Sequence, residues 1–145
     1  MSAPKTILVV EDEPELSLAM KIRLTDAGFN VITAQDALEA TTSTQRNHPD
    51  LIIMDFGLPA GSGGDVFQRL TTALGASGVP PIIFLSAFPK ERVMEAIPPS
   101  DKIRFMQKPA QFDEVARTIR LMLKMPAPAD SAAKGKPQVD LDLDG

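Results

Sequence analysis

The sequence contains no cysteine and only one histidine among its 145 residues. Without cysteine the chain can form no disulfide, no thiolate metal site and no cysteine nucleophile. This composition fits a cytoplasmic protein. No apolar run approaches the roughly 18 residues that a membrane-spanning helix needs, and residues 1–5 lack the apolar region of a signal peptide. Acidic residues outnumber basic ones by 19 to 15 without a basic block, so we expect neither a membrane nor a nucleic acid as a direct partner.

The length suits one domain with a real core, followed by a tail. We assign the domain to residues 1–125. Residues 126–145 are rich in proline, alanine and aspartate and have too little apolar content to pack alone, so we predict a flexible tail there. Its VDLDLD ending alternates apolar and acidic residues and could add to a partner protein as an edge strand. A solvated tail is the simpler reading, and the fragmentary likeness to a calcium-binding loop lacks the closing glutamate.

Short apolar segments rich in isoleucine and valine alternate with segments of helical periodicity. The strand-like segments are 6–10, 30–34, 51–55, 81–86 and 103–107. Apolar residues at helical spacing between these segments indicate helices. Leu16 belongs to the apolar stripe of the first helix, Asp36 is the expected N-cap of the second, and a short helix is expected at 90–97. The order (βα)₅ predicts an α/β fold of doubly wound type, with a parallel sheet covered by helices on both faces.

Polar residues stand where the predicted strands end. Glu11 and Asp12 follow the first strand, Asp55 ends the third, Ser86 ends the fourth, and Lys108 follows the fifth. Ligands of such sheets bind at the carboxyl ends of the strands. Clustered carboxylates without histidine or cysteine suit Mg²⁺ or Mn²⁺, and a metal, a lysine and a hydroxyl are the parts that phosphoryl transfer uses. A carboxylate can itself be the phosphoryl acceptor.

Each of these residues also has an ordinary explanation. The acidic residues before Pro14 could simply favour a helix N-terminus, Asp55 could cap a turn, and Lys108 could be a surface charge. It is their joint occurrence at four strand ends that favours a site. His48 precedes the third strand, at the opposite end of the sheet from Asp55, and we interpret it as a loop residue.

The motifs ILVVEDE, PDLIIMDFGLP, SGG, FLSAF and FMQKP occur in this order and together resemble the response regulator receiver domain of two-component signalling, CheY-like and of stand-alone type. The resemblance covers residues 5 to about 124. It implies a flavodoxin-like sheet with strand order 2-1-3-4-5. It also implies that Asp55 is the phosphoacceptor, and that Glu11, Asp12, Asp55 and the Gly57 carbonyl hold Mg²⁺.

Further roles follow from the same resemblance. Ser86 would bond a phosphoryl oxygen, Lys108 would pair with the phosphoryl group, and the Lys108–Pro109 bond would be cis. Phe105 falls at the aromatic switch position, where the family often has tyrosine. A plain core role is the competing interpretation for Phe105. Gly57 would leave the phosphoryl group open to water, whereas Phe88 could shield it.

The implied partners are a sensor histidine kinase or histidine phosphotransferase, and a downstream protein that contacts the face formed by the fourth helix, fifth strand and fifth helix. Arg117, Arg120 and Lys124 could make that region attractive to an acidic partner, although they could also be an ordinary solvated face. We expect no enzymatic turnover beyond the domain's own phosphorylation and dephosphorylation. An enzyme that hydrolyses phosphate esters through an aspartyl-phosphate would need a second acidic residue just after the nucleophile. Gly57 stands two residues after Asp55, which argues against such an enzyme. The remaining alternatives are the receiver half of a longer regulator and a phosphorylation-independent scaffold.

Overall fold

A computed structural model describes residues 4–56, 63–95, 97 and 100–126. Strands and helices alternate along the chain. The strands are β1 (Thr6–Val10), β2 (Asn30–Ala34), β3 (Leu51–Asp55), β4 (Ile82–Ser86) and β5 (Ile103–Gln107). The helices are α1 (Pro14–Asp26), α2 (Ala37–Asn47), α3 (Gly63–Leu74), α4 (Lys90–Met94) and α5 (Phe112–Met122), and a 3₁₀ turn lies at Ala76–Gly78.

The five strands form one parallel sheet in the order β2-β1-β3-β4-β5. This confirms the predicted α/β architecture and the 2-1-3-4-5 order. The three central strands are buried on both faces, which is why β1, β3 and β4 are apolar at almost every position. One core cluster packs α2, α3 and α4 against the sheet, and a second packs α1 and α5 against the other face.

Local sequence explains most helix ends. The Asp36 carboxylate accepts the Glu39 N–H at 2.9 Å, which confirms it as the N-cap of α2. Gly28 and Gly75 follow α1 and α3 with φ of 101° and 78°, a backbone region that favours glycine. The predicted N-cap and both glycine stops are therefore local features that the sequence reveals.

Three expectations about elements were wrong in detail. β4 begins at Ile82 rather than at residue 81, because Pro81 has no N–H and only its carbonyl joins the sheet, accepting the Ile52 N–H. Helix α4 ends at Met94 rather than at residue 97, although the Ile97 N–H still bonds the Val93 carbonyl. Leu16, predicted in the core stripe of α1, is 41% exposed.

Candidate functional site

The sheet brings the predicted residues to one edge. Val10 pairs in register with Met54, and Asp55 with Leu85, so β1 and β3 end side by side. Ser86 pairs with Gln107, the residue before Lys108. Strand ends therefore position Glu11, Asp12, Asp55, Ser86 and Lys108 together, as the sequence predicted.

Three carboxylates form the acidic side of this site. One oxygen from each of Glu11, Asp12 and Asp55 lies within 4.8 Å of the others, and all three side chains are partly buried. Burial and, next in size, the nearby Asp55 charge raise the pKa of Glu11 from its ordinary value to about 7. The Glu13 N–H, 3.3 Å from Glu11 Oε2, and the Lys108 charge act in the opposite direction. Full ionisation of the three carboxylates is therefore unfavourable without a compensating positive charge.

Lys108 supplies the positive side. Its Nζ lies 3.4 Å from Asp55 Oδ1, with Lys108 31% and Asp55 14% exposed. The Lys108 backbone N–H donates to the Ser86 carbonyl at 2.7 Å, which anchors the lysine beside the end of β4. The Lys108–Pro109 peptide bond is cis, as expected. Asp55 therefore lies between an acidic pair and an ammonium group.

Ser86 is almost fully buried, at 3% exposure. Its Oγ accepts the Phe88 N–H at 2.9 Å. Accepting that bond leaves the hydroxyl proton of Ser86 available for another acceptor. The Ser86 hydroxyl can therefore still donate a hydrogen bond at the edge of the sheet where Asp55 lies.

Aromatic side chains connect this edge to the region of Phe105. The Phe105 ring is partly buried and stacks on Phe84, with ring centroids 6.0 Å apart and planes at 17°. Phe84 meets Phe56 edge-on at 6.2 Å, and Phe56 meets Phe88 edge-on at 6.4 Å. No pattern in the sequence indicates this connection, because the ring contacts join residues of β4 and β5 with the segments that follow β3 and β4.

Phe88 and Lys90 carry the outer contacts of the aromatic group. The Arg92 guanidinium lies 5.0 Å from the Phe88 ring centroid, and Lys90 Nζ lies 6.0 Å from that of Phe105. Phe88 is nevertheless 40% exposed. It therefore packs against Phe56, the residue that follows Asp55, while keeping one side open to solvent.

A cavity of about 450 Å³ opens beside the site. Its lining is mostly apolar and comes from β1, β3, β4, α1 and the segment after β5, while Glu11, Asp55 and Lys108 supply its charges. Leu16 lines it too, which accounts for the exposure of that residue in the first turn of α1. The helical stripe in the sequence gave no sign of this cavity, since the stripe records only that Leu16 faces inward.

The basic region predicted on the fifth helix is smaller than expected. Arg120 is not on the outer face: its guanidinium lies 5.5 Å from the Phe29 ring centroid and donates to the Ala27 carbonyl at 3.3 Å. Lys124 follows the helix with φ of 57°. Arg117 is exposed and is therefore accessible to an acidic partner.

Other expectations fall elsewhere. His48 is an exposed cap at the end of α2, before β3 begins. Gly57, expected as a carbonyl ligand, and the tail from residue 127 onward lie outside the described residues. Across the described ranges, no helix has the length and apolar character that spanning a membrane requires.

The acidic cluster fits a hard divalent cation. All three candidate ligands are carboxylates, and the chain has no cysteine and no histidine near them. The raised pKa of Glu11 reflects burial and crowded negative charge, which a divalent cation would offset. Glu11, Asp12 and Asp55 are therefore the described residues that could hold Mg²⁺.

Comparison with known proteins agrees with this geometry. A family model described as response regulator receiver domain matches residues 7–120. The chain is 33% identical over 126 residues to the transcriptional regulatory protein KdpE of Mycobacterium tuberculosis, covering 81% of this chain and 50% of that protein. It is 32% identical over 123 residues to the probable transcriptional regulatory protein TcrX of the same organism, covering 83% and 50%.

The fold is also found among solved structures. A two-component response regulator from Clostridium difficile matches with a TM-score of 0.72 at 17% identity, covering 83% of this chain and 96% of that one. The chain spans about half the length of the curated relatives named above. The family match extends from the second residue of β1 through the other four strands and most of α5. The chain therefore belongs to the response regulator receiver domain family.

Proposed function

We propose that this chain accepts a phosphoryl group on Asp55 from a phosphohistidine of a sensor histidine kinase or histidine phosphotransferase, in a Mg²⁺-dependent reaction. The observation that carries the proposal is the placement of Asp55, 3.4 Å from Lys108 and within 4.8 Å of the Glu11 and Asp12 carboxylates. An acceptor needs this combination because the transferred group brings negative charge toward a carboxylate.

In the proposed step, a carboxylate oxygen of Asp55 forms a bond to phosphorus as the bond from phosphorus to the donor imidazole nitrogen breaks. The electron pair of the broken bond stays on that nitrogen. Lys108 neutralises charge on the phosphoryl oxygens, and the Ser86 hydroxyl donates a hydrogen bond to one of them. Ser86 can do so while accepting the Phe88 N–H, because the two interactions use different parts of the hydroxyl.

Glu11, Asp12 and Asp55 would hold the Mg²⁺ ion. When bound, the ion supplies positive charge that offsets both the carboxylate cluster and the phosphoryl oxygens. Mn²⁺ meets the same requirement for oxygen ligands.

We extend the proposal to the output. Phosphorylation biases Phe105 between two positions, and the change is transmitted to a partner protein at the face formed by α4, β5 and α5. The stack of Phe105 on Phe84 and the edge contact of Phe84 with Phe56 supply a packed route between Asp55 and that face. Signalling then occurs by protein contact or onward phosphotransfer, without turnover of another substrate.

A second candidate is that this chain acts as the receiver part of a longer regulator. It is favoured by relatives that are named transcriptional regulators and of which the chain spans about half. In that case Asp55 keeps its role and the output belongs to a further domain. A phosphorylation-independent scaffold would not need the complete set of carboxylates, lysine and hydroxyl that this site retains.

The test is phosphoryl uptake from acetyl phosphate or a phosphorylated histidine kinase. Wild type should take up the labelled phosphoryl group in the presence of Mg²⁺ and should not take it up in EDTA. Asp55→Ala should take up no label. The matched control Asp101→Asn, which changes an exposed carboxylate, should behave as wild type. Equal labelling of wild type and Asp55→Ala would disprove the acceptor assignment. Absence of labelling with every donor would favour the scaffold.

A further inference from the structure

Strand β5 forms one edge of the described sheet. On the side that faces β4, the carbonyl of Lys102, just before the strand, accepts the Ile82 N–H. The N–H of Lys108, just after the strand, donates to the Ser86 carbonyl. Bonding alternates along a parallel strand, so the N–H groups of Phe105 and Gln107 point away from β4. An edge with outward amides is a template for pairing with another extended segment.

The two sides of this edge differ in chemistry. Phe105 packs with the cluster that contains α4, whereas Met106 packs with the cluster that contains α5. Because side chains alternate along a strand, Arg104 lies on the Met106 side. Arg117 of α5 is on that side too, since it lines a groove with Met106. The edge thus has one side with the Phe105 ring, near which Lys90 Nζ lies at 6.0 Å from the centroid, and one side with two arginines.

The groove between β5 and α5 has a volume of about 310 Å³. Glu114 also lines it and is the acidic residue among the lining residues. Arg104 bonds the Asp101 and Ile103 carbonyls at 3.2 Å through Nη1, which leaves other N–H donors of its guanidinium for a ligand. An extended, alternately apolar and acidic segment is complementary to this edge.

The chain itself contains such a segment. Residues 139–144 read VDLDLD, which places Val139, Leu141 and Leu143 on one face of an extended strand and Asp140, Asp142 and Asp144 on the other. We propose that residues 139–144 bind the open edge of β5 in the same molecule, with the leucines on the Phe105 side and the aspartates on the side of Arg104 and Arg117.

Handedness determines the direction of the added strand. The chain moves from β4 to β5 with α4 on one face, but α5 lies on the opposite face. A strand that followed α5 and lay parallel to β5 at the outer edge would need a left-handed crossover, which is rare. The segment therefore pairs antiparallel to β5.

The connection is long enough for this direction. The 12 residues from 127 to 138 can reach about 40 Å when extended. Strand β5 has five residues and is about 17 Å long. The chain can thus leave α5, pass the far end of β5 and return along it.

This contact would cover the groove beside Phe105, where the proposed output partner binds. The segment would then compete with that partner, a consequence that rests on the proposed function. Binding of the segment does not require phosphorylation, so it can be tested in the unphosphorylated protein. Failure of the segment to bind would leave phosphoryl acceptance by Asp55 unaffected.

The test is hydrogen–deuterium exchange of the full chain without a phosphodonor. A segment with a Kd of about 0.1 mM as a free peptide, held at an effective concentration of about 1 mM, occupies its site about 90% of the time. The outward amides of β5 should therefore exchange about tenfold more slowly in wild type than in the double variant L141D/L143D. Arg117→Glu should reduce the protection as well, because it reverses a charge that faces the aspartates.

Two matched controls address non-specific effects. Asp130→Asn removes a carboxylate from the tail outside the segment, and Arg69→Glu reverses an exposed charge on α3. Both should leave the exchange of β5 unchanged. Equal exchange in wild type and L141D/L143D would overturn the proposal and would leave an external partner as the occupant. Protection that increases with protein concentration would overturn it in favour of binding to a second copy.

Discussion

The Lys108 ammonium lies 3.4 Å from Asp55 Oδ1, although 53 positions separate the two residues in the chain. The contact exists because β3 and β5 end at the same edge on either side of β4. Both side chains retain contact with solvent. The pair therefore matters more for the charge of an incoming group than for holding the fold together.

Replacing Lys108 should separate these two roles. We expect Lys108→Ala to lower the rate of Asp55 phosphorylation by acetyl phosphate by about 100-fold, because a positioned cation that stabilises developing charge is lost. The free energy of unfolding should change by no more than about 1 kcal/mol, as for other partly exposed pairs. Lys108→Arg, which keeps the charge, should retain part of the rate. Full activity of Lys108→Ala would contradict the role assigned to the lysine.

Glu11 should make stability depend on pH in the absence of metal. Its pKa is about 7 in the folded protein against an ordinary value of 4.5, so the folded state holds the proton more tightly. The free energy of unfolding should therefore fall as pH rises from about 4.5 to about 7 and level off above that, by about 2 kcal/mol after allowance for solvent screening.

Urea unfolding in EDTA at pH 5 and pH 8 measures this dependence. Glu11→Gln should remove the decrease, because the neutral amide does not titrate. Glu15→Gln, an exposed carboxylate in the first turn of α1, should keep it. Mg²⁺ should stabilise wild type at pH 8 more than Glu11→Gln. An unchanged pH dependence in Glu11→Gln would show that another group is responsible.

The N-cap of α2 gives a test confined to stability. Asp36→Ala should lower the free energy of unfolding by about 1 kcal/mol, because the Glu39 N–H loses its acceptor. Asp36→Ser should recover most of this loss, since a serine hydroxyl can accept the same bond. Denaturant unfolding of the three proteins provides the comparison. Phosphorylation of Asp55 should not change, because this cap takes no part in the site.

The cap illustrates which features the sequence reveals. Asp36 and the strands 6–10 and 51–55 were predictable because each depends on residues within a few positions: a side chain that caps the next turn, or a run that is apolar at nearly every position. The positions of the site residues followed as well, since parallel strands bring their carboxyl ends to one edge. The strand order came from the resemblance to a family, not from periodicity.

Other features depend on distant residues. From its spacing along the helix, Arg120 is expected to be a surface cation. Its guanidinium instead lies over the ring of Phe29, which is 91 positions earlier in the chain, and donates a hydrogen bond to the Ala27 carbonyl. The raised pKa of Glu11 needs both burial and the nearby charge of Asp55. The stack of Phe105 on Phe84 depends on the register of β4 with β5, where the two residues are direct partners. No local pattern records any of these contacts.

That stack leads to the last prediction. Phe105→Ala should lower the free energy of unfolding by about 2 kcal/mol, because a partly buried ring and its contact with Phe84 are lost. Phe105→Tyr should fold as wild type and add a hydroxyl that can form a hydrogen bond when the ring moves outward. We therefore expect tyrosine to separate the two states more sharply than phenylalanine does.

The measurement is the change in hydrogen exchange of α4 and β5 on addition of acetyl phosphate and Mg²⁺. The change should be larger in Phe105→Tyr than in wild type and smallest in Phe105→Ala. Phe67→Leu is the matched control, because Phe67 also meets Phe84, with centroids 6.5 Å apart, but lies on α3. If Phe67→Leu and Phe105→Ala reduced the response equally, the response would depend on general packing around Phe84, and Phe105 would be an ordinary core residue.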